Sequence, residues 1–288
     1  MIMNRIRSVH LLVRLSVAAL VLFASPVADA RGRDIETKED ERAPQLSYDR
    51  FRKSIELQVA EKREEQIDGI QRLLDLGADP DEIPDLKFRL AELFYEKARF
   101  NFFRSQEAQE AAMRAETPEE KAALQEKSAE RQRERDDWIE QALTLYREIR
   151  EVYPGYPRMP EVLFALAQSH WNQGRFQDAV DVYADLIRTY PDSPLISDAW
   201  LGFGEFYFNE GDVRKALQSY QKAAEDERSR VYGFALYKQA WCYFNMSQWE
   251  NALDKFKATV FYARRSTELS GENRIALGRE AQKDYVRT

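Results

Sequence analysis

Residues 200–223 read WLGFGEFYFNEGDVRKALQSYQKA. On either side of Gly211 the apolar positions recur every three to four residues, which specifies two amphipathic helices joined by a glycine turn. Working outward, Ala216 has counterparts at Ala142, Ala179 and Ala252, at intervals of 37, 37 and 36 residues. Four positions beyond each alanine stands an aromatic: Tyr146, Tyr183, Tyr220 and Phe256. Glycine precedes the alanine by five residues at Gly174 and Gly211, and Ser247 takes that place in the next unit. Pro154 and Pro191 follow the first two alanines by twelve. Self-similarity at a fixed period of this length specifies stacked copies of one helix–turn–helix unit.

Each recurring residue type has a physical task. Alanine lets two helices approach closely, and the aromatic one turn later fills the space beside the contact. Glycine supplies the turn between the helices of a unit. Proline stops the second helix before the next unit begins.

The pattern resembles the tetratricopeptide repeat family. In the unit quoted above the matching residues are Trp200, Phe203-Gly204, Tyr207, Gly211, Ala216, Tyr220 and Ala223. Before it stand Leu163, Leu166-Ala167, His170, Gly174, Ala179, Tyr183 and Pro191, and after it Leu236, Ala240, Tyr243, Ala252 and Phe256. The third unit carries Gln239 where an apolar residue is usual. The family period is about 34 residues, so the loops between these units are slightly longer. The resemblance implies an all-α, right-handed α-solenoid of helix hairpins, with three units over 160–262.

A fourth, interrupted unit precedes these. Leu90-Ala91 and Phe94 match a first helix, and Ala142, Tyr146 and Pro154 match its second. Ala91 and Ala142 are 51 residues apart, whereas Gly204 and Ala216 are 12 apart. The surplus predicts one extended antiparallel helical hairpin inserted in this first repeat, within an N-terminal helical region of 46–159. Thr117-Pro118-Glu119-Glu120 marks its tip, with Thr as cap, Pro in the first helical position and the second Glu closing a capping box. Alanines at 108, 111, 112, 115, 122, 123 and 129 seat the two arms together. Ahead of the hairpin, Ser47 caps a helix carrying Phe51, Ile55, Val59, Ile67, Ile70, Leu73 and Leu74, which ends at Gly77.

Residues 1–30 carry the marks of a secretory signal. Arg5, Arg7 and Arg14 precede the apolar run Leu15 to Ala24, and Ala28-Asp29-Ala30 supplies the cleavage pattern. The apolar run is about half of what a membrane-spanning helix needs. Cleavage takes away three Arg and one Asp and moves the formal charge from −7 to −9. A charged tether, 31–45, follows. At the other end, 263–288 reads as a polar linker over Ser266 to Asn273 and a helix carrying Ile275, Leu277, Ala281 and Tyr285. That helix is either a cap or the start of a further repeat.

The 288 residues hold one cysteine, Cys242, and two histidines, His10 and His170. These rule out an intrachain disulfide and a Cys-ligated zinc site, and leave too few histidines for a paired-His metal site. There is no glycine-rich phosphate loop. The acidic balance opposes binding to nucleic acid or an anionic membrane. We therefore expect no enzyme, no cofactor and no metal. His170 and Cys242 are expected to be core residues.

The resemblance also implies a partner-binding concave groove lined by the first helix of each unit. Its positions fall on Phe164, Gln168, Trp171 and Asn172, then Leu201, Glu205, Phe208 and Asn209, then Phe234, Tyr237, Trp241, Phe244 and Asn245. The row is strongly aromatic, as partner-binding grooves are. Among repeat proteins, the resemblance is to exported members of Gram-negative envelopes. Phe88 to Glu96 and the long hairpin extend it to repeat proteins of the myxobacterial gliding-motility machinery. These features imply a periplasmic scaffold whose partners are envelope proteins, bound through the groove and the hairpin arm, with no membrane span after cleavage. Two other readings stand beside it: an outer-membrane assembly or cell-wall coordination factor, and the helical accessory region of a longer envelope enzyme.

Overall fold

The computed structural model divides into two units, residues 1–48 and 49–288. It describes residues 45–270 and 277–288. The signal segment at 1–30, and the tether apart from Gln45, lie outside the described residues, as does Ile275.

Ten helices account for the described fold. They are α1 (Gln45–Asp75), α2 (Ile83–Arg114), α3 (Pro118–Val152), α4 (Met159–Asn172), α5 (Phe176–Thr189), α6 (Ile196–Asn209), α7 (Val213–Ala223), α8 (Tyr232–Asn245), α9 (Trp249–Ser270) and α10 (Leu277–Arg287). Among the described residues there is no strand. Helices consecutive in the chain pack side by side from α2 to α10, so each layer buries its apolar face against the next.

The four alanines of the repeat are completely buried. Their aromatic partners Tyr146, Tyr183, Tyr220 and Phe256 are at most 5% exposed. At the turns Gly174 and Gly211 take φ of +75° and +81°. Ser247 substitutes at φ +59°, the one non-glycine residue with positive φ among the described residues. The turn geometry is thus kept in the third unit, with strain placed on a residue that has a Cβ. In the middle unit Gly204 is also required, since a Cβ there would overlap the Tyr220 ring.

α2 and α3 form the long antiparallel hairpin. At its tip Thr117 Oγ1 accepts from the Glu120 N–H at 3.2 Å. The Glu120 carboxylate accepts from the Glu116 N–H, one residue earlier than the capping box predicts. The alanine seam is only half as expected. Ala108 and Ala112 are buried on α2, whereas Ala122, Ala123 and Ala129 on α3 face solvent. Ser128 takes the contact instead, its hydroxyl donating to the Ser105 carbonyl at 3.0 Å. The arms carry ion pairs between residues three or four apart on one helix, such as Arg104–Glu107 and Arg131–Glu134. Such pairs solvate a surface and add little stability.

Two boundaries differ from the sequence reading. α1 begins at Gln45, which puts Ser47 inside the helix. α9 continues through Ser266 to Ser270, into the stretch read as a linker. Ala281 of α10 is fully buried, in one cluster with Ala240, Ala252 and Phe256.

Candidate functional site: the face of the first helices

α4, α6 and α8 are the first helices of the three units, and their shared face carries the predicted row. On α4, Phe164 and Gln168 are half-buried, Trp171 sets its ring edge-on to Phe176 at 4.8 Å, and Asn172 is exposed with its amide donating to the Tyr95 hydroxyl. On α6, Leu201 and Phe208 are half-buried and Asn209 is exposed. On α8, Phe234, Tyr237, Trp241 and Phe244 are half-buried. The Asn245 amide donates to the Trp241 carbonyl at 2.7 Å. Tyr237 donates to the Asp284 carboxylate of α10 at 2.8 Å. Trp241 lies edge-to-face with Phe244, Tyr237 and the buried Phe256, so it holds the core as well as the surface.

Glu205 departs from the row. It is 8% exposed, its carboxylate accepting from Tyr220 Oη at 2.7 Å and from Lys238 Nζ at 2.8 Å. Lys238 lies outside the predicted row. Its ammonium lies 5.6 Å from the centre of the Phe208 ring and 5.3 Å from that of Phe234. A buried charge survives only if paired and hydrogen-bonded, and the aromatic faces add cation–π attraction. The floor between the second and third units is therefore filled by the chain's own ion pair. A sequence signal existed: Lys238 lies one helical turn before Trp241, the position one repeat on from Glu205.

The titratable groups nearby are structural. Cys242 is fully buried, and that burial pushes its thiol up to about 12, far from a reactive thiolate. Burial also raises the Tyr220 phenol well above its ordinary value, helped by the Glu205 carboxylate. His170 is buried at the end of α4 with Nδ1 lacking a hydrogen-bond partner. Burial and the Arg147 guanidinium lower its pKa despite Asp178, whose carboxylate is 3.9 Å away. Among the described residues no group of His, Cys, Asp or Glu is arranged to hold a metal ion. Among them, too, no helix is long and apolar enough to cross a membrane.

Two family models described as tetratricopeptide repeat match the chain, one over residues 128–194 and 164–231, the other over 234–260. Residues 128–231 and 234–260 are tetratricopeptide repeats. These repeats build an all-α solenoid, and the fold is generally a non-catalytic scaffold for protein–protein interaction. Among solved structures the chain is similar to MamA, at 21% identity over 52% of this chain and 79% of that one, with a TM-score of 0.38. It is also similar to BtubC from P. vanneervenii, at 16% identity over 75% and 92% of the two chains, with a TM-score of 0.43. A comparison with curated protein sequences finds no match.

The first matched segment, 128–194, begins within α3. This fits Ala142, Tyr146 and Pro154 as the second helix of a unit whose first helix is displaced by the hairpin.

Proposed function

We propose that this protein is a non-enzymatic periplasmic scaffold that binds protein partners of a cell-envelope complex along the groove of α4, α6 and α8. The observation that carries the reading is the set of half-exposed aromatic side chains, Trp171, Phe208, Phe234 and Phe244, on first helices of successive repeats. Half-exposed aromatics on a rigid helical face supply large contact area at low entropic cost. Export rests on residues 1–30. The narrower assignment to gliding motility rests on the resemblance of residues 88–96 and of the long hairpin.

The test is expression of the full chain with a C-terminal tag in a Gram-negative host, followed by fractionation and capture. The expected product is periplasmic and shorter by residues 1–30, by intact mass. Captured envelope proteins should remain in stoichiometric amount, and a Trp171→Ala/Phe208→Ala variant with unchanged helical circular dichroism should lose them. An uncleaved cytoplasmic product would sink the export reading, and undiminished capture by the variant would sink the groove.

A further inference from the structure

The turn edge of the solenoid, where the first helix of each unit hands over to the second, carries a second feature that repeats. In the first unit Trp171 and Phe176 meet at 4.8 Å and 65°, and in the third Phe244 and Trp249 meet at 5.1 Å and 79°. Phe176 is 41% and Trp249 47% exposed, although each opens a helix and has neighbours to pack on. Exposed acidic residues follow them in sequence, Asp178 in the first unit and Glu250 in the third. Each ledge thus offers exposed aromatic surface.

The middle unit shows what such an edge takes. There Val213 replaces the second aromatic, and position 215 holds a lysine where the first unit has Asp178 and the third Asn251. Lys215 pairs with Asp212 at 3.0 Å and lies 5.2 Å from the centre of the Tyr207 ring. Lys238 lies over Phe208. Elsewhere too the chain covers its rings with cations, Lys97 on Trp138 and Arg158 on Phe88. Among the described residues no cation of this chain is placed over Trp171, Phe176, Phe244 or Trp249.

We propose that the two ledges bind cationic side chains of a basic protein segment, one in the first unit and one in the third, bridging a middle unit that has filled its own place. Ring faces attract a cation, arginine above all. The net charge of −7 favours the approach of such a segment. Trp171 and Phe244 belong to both the groove row and the ledges, whereas Phe176 and Trp249 lie outside that row.

The test uses the full chain and a fluorescein-labelled peptide with two arginine pairs joined by a flexible glycine–serine spacer, read by fluorescence anisotropy. Parallel peptides carry lysine or glutamine in place of every arginine. The arginine peptide is expected to bind tightest and the glutamine peptide not at all. Phe176→Ala and Trp249→Ala leave the net charge unchanged, and each should weaken binding about tenfold with helical content intact. Equal affinity in both aromatic variants would reduce the effect to general charge attraction and overturn the proposal, as would equal binding of the glutamine peptide. Leu201→Ala on the groove floor should leave the arginine peptide unaffected, so a failure of the rim and a failure of the groove are read separately.

Discussion

Glu205 of α6 and Lys238 of α8 meet at 2.8 Å with side chains 11% and 6% exposed, joining the second repeat to the third. Tyr220 completes the arrangement from α7. Removing one partner of a buried pair leaves an uncompensated charge, at a cost of about 3–5 kcal/mol. Lys238→Met should therefore lower stability by roughly that amount. Adding Glu205→Gln, whose carbonyl still accepts from Tyr220, should restore most of it. Urea midpoints of the wild type, both single variants and the double variant measure the coupling, and additive losses would contradict it.

Gly204 faces the Tyr220 ring where the first and third repeats have Ala167 and Ala240. Alanine gains about 1 kcal/mol in helix propensity over glycine. Here the new methyl would overlap a ring that is fully buried and tied to Glu205, and overpacking costs about 1–3 kcal/mol. Gly204→Ala should be net destabilising, with a lowered Tm. A raised Tm would show that the ring has room to move.

His170 gives the fold a pH dependence. Its pKa is lowered by burial and by Arg147 and Arg175, against Asp178 and Glu140. The folded chain therefore favours the neutral imidazole more than the unfolded chain does. That contribution is complete above the ordinary value of about 6.5 and is lost as pH falls through it toward the lowered value. His170→Tyr installs the residue that Tyr207 and Tyr243 provide in the other repeats. Between pH 7.5 and 5 the wild type should lose more stability by urea denaturation than this variant. Parallel curves would remove His170 as the cause.

The outer hairpin is expected to be dispensable for folding. Its arms pair with each other beyond the core, through contacts such as Ser128 to Ser105. The cut must spare Glu140, which accepts from Gln173 and Arg175. Replacing residues 104–135 by a short turn should leave the helical signal of the repeats cooperative, with Tm changed by only a few degrees. Loss of cooperative melting would make the arm part of the core.

The repeat period, the helical turns and the position of the hairpin tip were all legible in the sequence. Each rests on local chemistry: Ala beside an aromatic one turn later, glycine or serine at a left-handed turn, and Thr-Pro at a cap. The row on α4, α6 and α8 was legible for the same reason, since a fixed period carries a helix face from one repeat to the next. What the sequence could not give is how side chains from different repeats share one space. Glu205 reads as a groove residue and is buried because Lys238 of the next repeat reaches it. The arm seam reads as alanine and is closed on α3 by Ser128, because register between two helices is set by packing along their whole length. Helical period follows from bonds within about four residues, whereas burial of a charge depends on a partner 33 residues away, and only the folded chain brings the two together.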